Sequence, residues 1–444
     1  MAAFHWTTAA VWAAAAAGAS AQDATKIESL EKRIAELEAK LPKEATGKDA
    51  AGGDMKWNDF SLLGSRFQLY GFLRLDAYYD DSRPNNTQLP SFIKSEDPTA
   101  PNAFRAPINK DDFTMSAKLT RFGINFLGPT IGGLGDAQVS GKLETDFYNT
   151  STTDSREAIR IRVAYLQLKW TNFSLYAGQM WDVISPLQPI VNPDNVMWNA
   201  GNLADRRPQL RGEYTAGEET KCILQAMIGE TGAIDGQDLD PAGGTGSGYL
   251  DGSQAGQPTM QARAAINVPM MDWKKNTEFG IWAHRAEEST DVPVGTSTHF
   301  NSSAYGIDLS VPMYRDVVWA KTEWWVGRNL GDVRGGILQD INTSGQEISS
   351  QGGFAEVGWQ LPGESFKPAK VYAGYSWDNP DNGDLSPNSA TNAARTRNQI
   401  YYAALRLDFK PVTFGLDYLH WETSYQSFHN GTDNRFQAYI SYAF

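Results

Sequence analysis

The chain closes on NRFQAYISYAF, residues 434–444. Phe436, Ala438, Ile440, Tyr442 and Phe444 occupy every second position, with Arg435, Gln437, Tyr439, Ser441 and Ala443 between them. Period two is the signature of a half-buried strand. A strand that runs to the last residue is unusual, because chain ends ordinarily fray and are polar. Such an end makes sense where the final strand must pair with another to close a sheet.

The same period recurs along the chain. RFQLYGFLRLDAYYD places Leu69, Leu73, Leu75 and Ala77 on one face and Gln68, Arg74, Asp76 and Asp80 on the other. In DAQVSGKLETDFY, Val139, Leu143 and Phe147 oppose Lys142, Glu144 and Asp146. In NQIYYAALRLDF, Leu405, Leu407 and Phe409 oppose Arg406 and Asp408. Charges on strand after strand need water on that side, and a closed barrel supplies it in its lumen. A soluble sandwich would instead pack two apolar inner faces together. Parity changes near Arg121 and near Val163, which reads as β-bulges or strand ends there.

Connections alternate in length. Long ones cover about 81–112, 149–157, 180–206, 229–256, 286–299, 328–350, 377–397 and 423–433. Seven short ones lie between them, and Pro269, Pro312, Pro362 and Pro411 fall in four of these. Fifteen connections join sixteen strands. The expected fold is an all-β transmembrane barrel over 64–444, with sixteen antiparallel strands, short periplasmic turns and long extracellular loops.

Composition agrees. Over 444 residues, 12% are aromatic and 41 are Gly, yet mean hydropathy is −0.44. No apolar run after residue 21 reaches the roughly 20 residues of a membrane helix. A net charge of −13 argues against nucleic acid as a partner. Cys222 is the single cysteine, so no internal disulfide and no cysteine metal site is expected. The aspartates Asp235, Asp238, Asp240 and Asp251 lack calcium-loop spacing, and no cofactor or metal is expected.

Residues 1–21 read as a signal peptide, with an apolar centre from Ala9 to Ala17 and a small-x-small site at Ala19-Ser20-Ala21. Its n-region carries His5 but no Lys or Arg. Residues 22–41 read as a short periplasmic coiled-coil helix. Ile27, Leu30, Ile34, Leu37 and Leu41 recur in steps of three and four, with Glu31 and Glu38 at e and Arg33 and Lys40 at g. Ile at a with Leu at d favours two strands. A single amphipathic helix on a surface is the alternative. Pro42 ends the helix, and 42–63 is a linker.

Several stretches resemble the trimeric porins of Gram-negative outer membranes. SAKLTRFGINFLGPTIGGLGDAQVSGKLETDF is similar to their second hairpin. RVAYLQLKWTNFSLYAGQMWDVISPLQP resembles the strands entering the constriction loop, and RRPQLRGEY the strand leaving it. With the leading heptads, the chain looks most like the DcaP-like porins, whose members take up dicarboxylates and other small anions. The phosphate-selective and carbohydrate-selective porins are near alternatives. The resemblance implies a homotrimer in the outer membrane, in contact with lipid and lipopolysaccharide. It also makes the terminal Phe444, with Phe436, Ala438, Ile440 and Tyr442, an assembly signal for the barrel insertion machinery. It implies that the loop at about 180–206 folds inward and narrows the pore.

That loop is stiff and apolar. Trp181, Ile184, Leu187, Ile190, Val191, Val196 and Trp198 would pack it to the wall, while Asp182, Asp194, Asn195 and Asn199 face the passage. Arg160 and Arg162 precede it, Arg206, Arg207 and Arg211 follow it, and Arg74, Arg121 and Lys142 lie on neighbouring strands. Guanidinium groups match carboxylate and phosphate, so a ring of them favours small anionic solutes. Asp76, Glu144, Asp146, Asp205 and Glu213 are placed to pair with these bases and weaken the field. Trp324, Trp359, Tyr418 and Phe444 are expected in the interfacial girdles, and Trp282 and Trp325 point inward. An enzyme is not expected: His284, His299, His420 and His429 fall in no nucleophile pattern. A general or sugar porin and a non-conducting tether or adhesin are the other readings.

Overall fold

In the computed structural model, residues 59–62, 64–147, 158–191, 196–232, 251–270, 273, 275–363 and 366–444 are described. The signal peptide, the helix with Ile27, Leu30, Ile34, Leu37 and Leu41, and the loop residues Asp194 and Asn195 lie outside them.

A short strand, Asp59–Leu62, comes first in sequence, and the barrel strands follow. They are β1 (Ser65–Asp80), β2 in two segments (Asp112–Ser116 and Arg121–Ile131), β3 (Ala137–Asp146), β4 (Arg160–Lys169) and β5 (Phe173–Trp181). Next come β6 (Arg206–Ala216), β7 (Lys221–Gly229), β8 (Thr259–Pro269), β9 (Asn276–Val294), β10 (Ser297–Tyr314) and β11 (Val318–Arg328). The last are β12 (Ser349–Gln360), β13 (Ala369–Pro380), β14 (Arg395–Phe409), β15 (Val412–Tyr425) and β16 (Gly431–Ala443). Each strand pairs antiparallel with the next, and β16 pairs with β1 from Arg435↔Asp80 to Ala443↔Phe72. The result is a closed barrel of sixteen antiparallel strands.

The closing strand answers the question its sequence raises. The N–H of Gly71 donates to the Phe444 carbonyl at 3.2 Å, and the N–H of Phe444 donates to Gly71 at 3.0 Å. Pairing therefore runs to the last residue and leaves no open edge. A Cβ on Gly71 would fall 2.2 Å from the Arg121 carbonyl oxygen, so this junction needs glycine.

Both parity changes have a structural cause. β2 is broken at 117–120, where the Thr120 hydroxyl accepts the Arg74 N–H at 3.1 Å. Between β3 and β4, Glu144 pairs with Val163 but Thr145 pairs with Ile161. Arg162 is the extra residue of a bulge, which re-aims it into the barrel.

The fifth long connection is not a loop. β9 continues to Val294 and β10 resumes at Ser297, joined by Gly295 at φ +61° and Thr296. Alternation fades over 286–299 because both faces are polar there, while the ladder continues.

Outside, the barrel carries an apolar band: Leu75, Phe279, Ile281, Ile307, Trp324, Val357, Trp359, Leu416 and Ile440 are all exposed. Inside, the wall is charged. Asp76, Glu144, Arg263, Asp308, Glu323, Glu356, Arg406 and Asp417 are buried from bulk solvent. A strand pattern of apolar residues outward and polar residues inward is that of a membrane barrel. Sixteen strands leave room for an aqueous channel unless loops fill it.

Candidate functional site: an inward loop and a bare arginine wall

Two loops meet inside the barrel. L3 (182–205) joins β5 to β6, and L6 (329–348) joins β11 to β12. The apolar residues of L3 form two clusters with the wall. Val191, Met197 and Ala200 pack with Tyr372, Ile400, Tyr402, Leu419 and Trp421 of β13–β15. Val183, Ile184, Leu203 and Ala204 pack with Met227, Trp282, Ala304 and Trp325, joined by Leu330 and Val333 of L6. Trp282 and Trp325 thus lie under the loop. Loop backbone cannot be buried without partners, and the wall supplies them. Glu323 accepts the Leu187 N–H at 2.7 Å and also the Ser185 hydroxyl. Glu356 accepts the Ile190 N–H at 2.7 Å, and Arg406 donates to the Ile190 carbonyl at 2.8 Å. Trp325 donates to the Gly201 carbonyl at 2.8 Å, and Asn398 to the Asn199 carbonyl at 2.7 Å. Gln261 accepts the Val183 N–H at 3.1 Å.

These contacts hold a costly backbone. Ser185, Val196, Met197, Asn199 and Ala204 all have positive φ, which is expensive for a β-branched residue such as Val196. Gly201 has φ +130°, and a Cβ there would fall 2.3 Å from the Gly353 carbonyl oxygen. L3 and β12 touch backbone to backbone at this point.

L6 locks over L3. The Asn199 N–H donates to Arg334 O at 2.7 Å, and the Ala204 N–H to Val333 O at 2.9 Å. Here the expected site residues divide. Arg207 and Asp182 are both 0% exposed and pair at 2.7 Å, and Arg207 also meets Asp332 of L6 at 2.5 Å. Neither faces a passage: they tie L3, L6 and β6 together. Asn199 is likewise buried, against Asn398 and Leu338 rather than water. Arg74 is held by Asp76 at 2.6 Å and lies over the Tyr439 ring at 3.5 Å. Arg211 donates to Gln209 at 3.2 Å and to the Trp181 carbonyl.

The remaining bases share one wall. Strands β1–β4 carry no hydrogen bond to L3 among the described residues. Glu144 meets Arg162 at 3.0 Å, Arg121 at 3.5 Å and Lys142 at 3.5 Å, and accepts the Tyr70 hydroxyl at 2.9 Å. Asp146 meets Arg160 and Arg162, each at 2.7 Å. Among the described residues, four bases thus surround these two acids. Arg121 is 21% exposed, Arg160 30% and Lys142 31%, against 0% for Arg207. At the loop end, Asp205 lies between Arg206 at 3.0 Å and Arg334 at 2.9 Å. Arg206 stacks on Trp181 at 4.6 Å and Arg334 on Trp198 at 4.8 Å, and those two rings are 6.3 Å apart. Such stacking fixes each guanidinium beside Asp205. Nη1 of Arg206 is buried and has no acceptor among the described residues.

Sequence reading missed Arg334, because L6 is distant in sequence and nothing marks it as an inward loop. It also missed the anchors Glu323, Glu356 and Asn398. Inward parity finds each of them, but only the fold shows what they hold.

No protein-family model matches the chain, and no curated protein matches it. Solved structures do. The outer membrane channel DcaP of Acinetobacter baumannii superposes with a TM-score of 0.65 at 19% identity, over 86% of this chain and 99% of that one. The fold is that of the outer-membrane porins. The anion-selective porin from Comamonas acidovorans aligns with a TM-score of 0.53 at 10% identity, over 86% and 100% of the two chains. Salmonella typhi OmpF, in complex with daunomycin, aligns with a TM-score of 0.53 at 12% identity, over 87% and 100%. The inward third loop and the closing terminal strand of this chain sit within that porin fold.

Proposed function

We propose that this protein is an outer-membrane porin through which small hydrophilic solutes diffuse, with preference for anions and dicarboxylates. The observation that carries the reading is the division of the barrel interior. L3 is fastened to the wall from β7 to β15, and the opposite wall presents Arg121, Lys142, Arg160 and Arg162 around Glu144 and Asp146 among the described residues. A net positive surface in a narrow water path is poorly screened and draws anions. The partly exposed Arg121, Lys142 and Arg160 offer more than one cation to a solute that carries two carboxylates. The acid-paired arginines remain useful, because guanidinium offers five donors and a carboxylate takes two.

A homotrimer in the outer membrane fits this reading, as does passage of the long loops to the cell exterior. A solved structure of OmpT of Vibrio cholerae is described as a trimer form. No catalytic role is proposed.

Planar-bilayer recording of the detergent-folded full chain tests the function. Block of the ionic current by succinate, without block by glucose, is the expected result. Block by glucose alone would move the function to a sugar porin, and folded protein without channels would move it to a tether or adhesin.

A further inference from the structure

The lipid-facing wall carries two arginines that meet no acid among the described residues. On β9 the outward residues run Phe279, Ile281, Ala283 and then Arg285. On β10 they run Leu309, Ile307, Tyr305 and then Ser303, and on β11 Thr322, Trp324, Val326 and then Arg328. The three end residues share one register row, Arg285↔Ser303↔Arg328. Neighbouring strands lie about 4.8 Å apart, so the two arginine Cα atoms are about 10 Å apart with a serine between them. Tyr305, 63% exposed, projects from the same face one step below. The row lies toward the long connections, since Arg328 is the last residue of β11 before L6.

Neither guanidinium makes an ion pair or a side-chain hydrogen bond among the described residues. The nearest acids above the row are engaged elsewhere. Glu287 meets His299 at 3.2 Å and accepts from Gln257 at 3.2 Å, and Glu347 accepts the Asn301 N–H at 2.9 Å. An arginine on the lipid face of a barrel is unfavourable in hydrocarbon and tolerable only near the interface. There it needs an anion, and the anions at that depth are lipid phosphates.

We propose that Arg285, Ser303 and Arg328 form a cradle for the phosphate group of an outer-leaflet lipid, with Tyr305 packed against the sugar or glycerol portion of its headgroup. The cradle rests on the outer wall being lipid-facing and not on the selectivity of the pore. Arginine forks suit phosphate oxygens, and the serine hydroxyl adds a donor between them. An aromatic at the interface suits the boundary between headgroup and chain.

Native mass spectrometry of the detergent-folded full chain with diphosphorylated lipid A is the test. Each arginine near the surface is worth about fivefold in affinity, so the Arg285→Gln/Arg328→Gln pair should weaken adduct formation roughly 25-fold. Arg315→Gln, in a short turn at the other end of the barrel, should leave it unchanged. Heat-modifiable migration on a gel verifies that each variant is folded. Equal adduct formation by the double variant overturns the proposal. So does displacement by millimolar inorganic phosphate, which would make the site one for free phosphate. A change of oligomeric state in the double variant, without loss of lipid, would make this face a contact between copies of the chain.

Discussion

The two halves of the barrel interior are built from the same residue types and do different work. From β11 to β14, Glu323, Glu356, Lys321, Arg406 and Asn398 turn inward and spend hydrogen bonds on the backbone of L3. From β1 to β4, Arg121, Arg160, Arg162 and Lys142 turn inward and, among the described residues, pair with Glu144 and Asp146. The difference lies in the partner. Where a loop covers the wall, charges act as anchors and lose their contact with water. Where no loop covers it, Arg121, Arg160 and Lys142 keep exposed edges and set a field.

The largest effect should come from releasing the loop. Gly201→Val puts a side chain where a Cβ already lies 2.3 Å from the Gly353 oxygen. L3 then leaves the wall, and single-channel conductance rises roughly twofold or more as the channel approaches the open lumen of a sixteen-stranded barrel. Unchanged conductance in a folded variant would mean that L3 does not limit the passage.

Arg207 and Arg206 are adjacent in sequence and should separate in experiment. Arg207→Ala leaves Asp182 and Asp332 buried without their cation. It should cost about 3–5 kcal/mol of stability, read by urea titration of the folded band. Arg206→Ala leaves Asp205 with Arg334, so it should cost less stability than Arg207→Ala, and it should lower the anion/cation permeability ratio. If both variants lost selectivity equally and neither lost stability, the division between anchor and field would fail.

A smaller effect is expected at Tyr70, whose hydroxyl donates to Glu144 at 2.9 Å. Tyr70→Phe should cost about 1 kcal/mol and shift selectivity only slightly, because three bases still surround Glu144.

Much of this fold could be read from the chain. The period-two faces, the alternation of connection lengths and the terminal Phe444 each specify a closed barrel, since they are local patterns. The inward packing of L3 was legible from its prolines, its tryptophans and its resemblance to porin loops. The division of the arginines was not. Arg206 and Arg207 are neighbours with opposite parity, and the side that meets Asp332 depends on a loop 125 residues away. The break in β2 and the bulge at Arg162 appeared only as parity errors, because a strand pattern does not tell which residue is the insertion.

The most direct test of the account is the zero-current potential across a bilayer under a salt gradient, for the wild type and for Arg160→Gln/Arg162→Gln/Arg206→Gln. The account predicts an anion-biased potential in the wild type that collapses toward cation preference in the triple variant, where Glu144, Asp146 and Asp205 lose much of their compensation. A cation-biased wild type, or a triple variant with the wild-type potential, would contradict it.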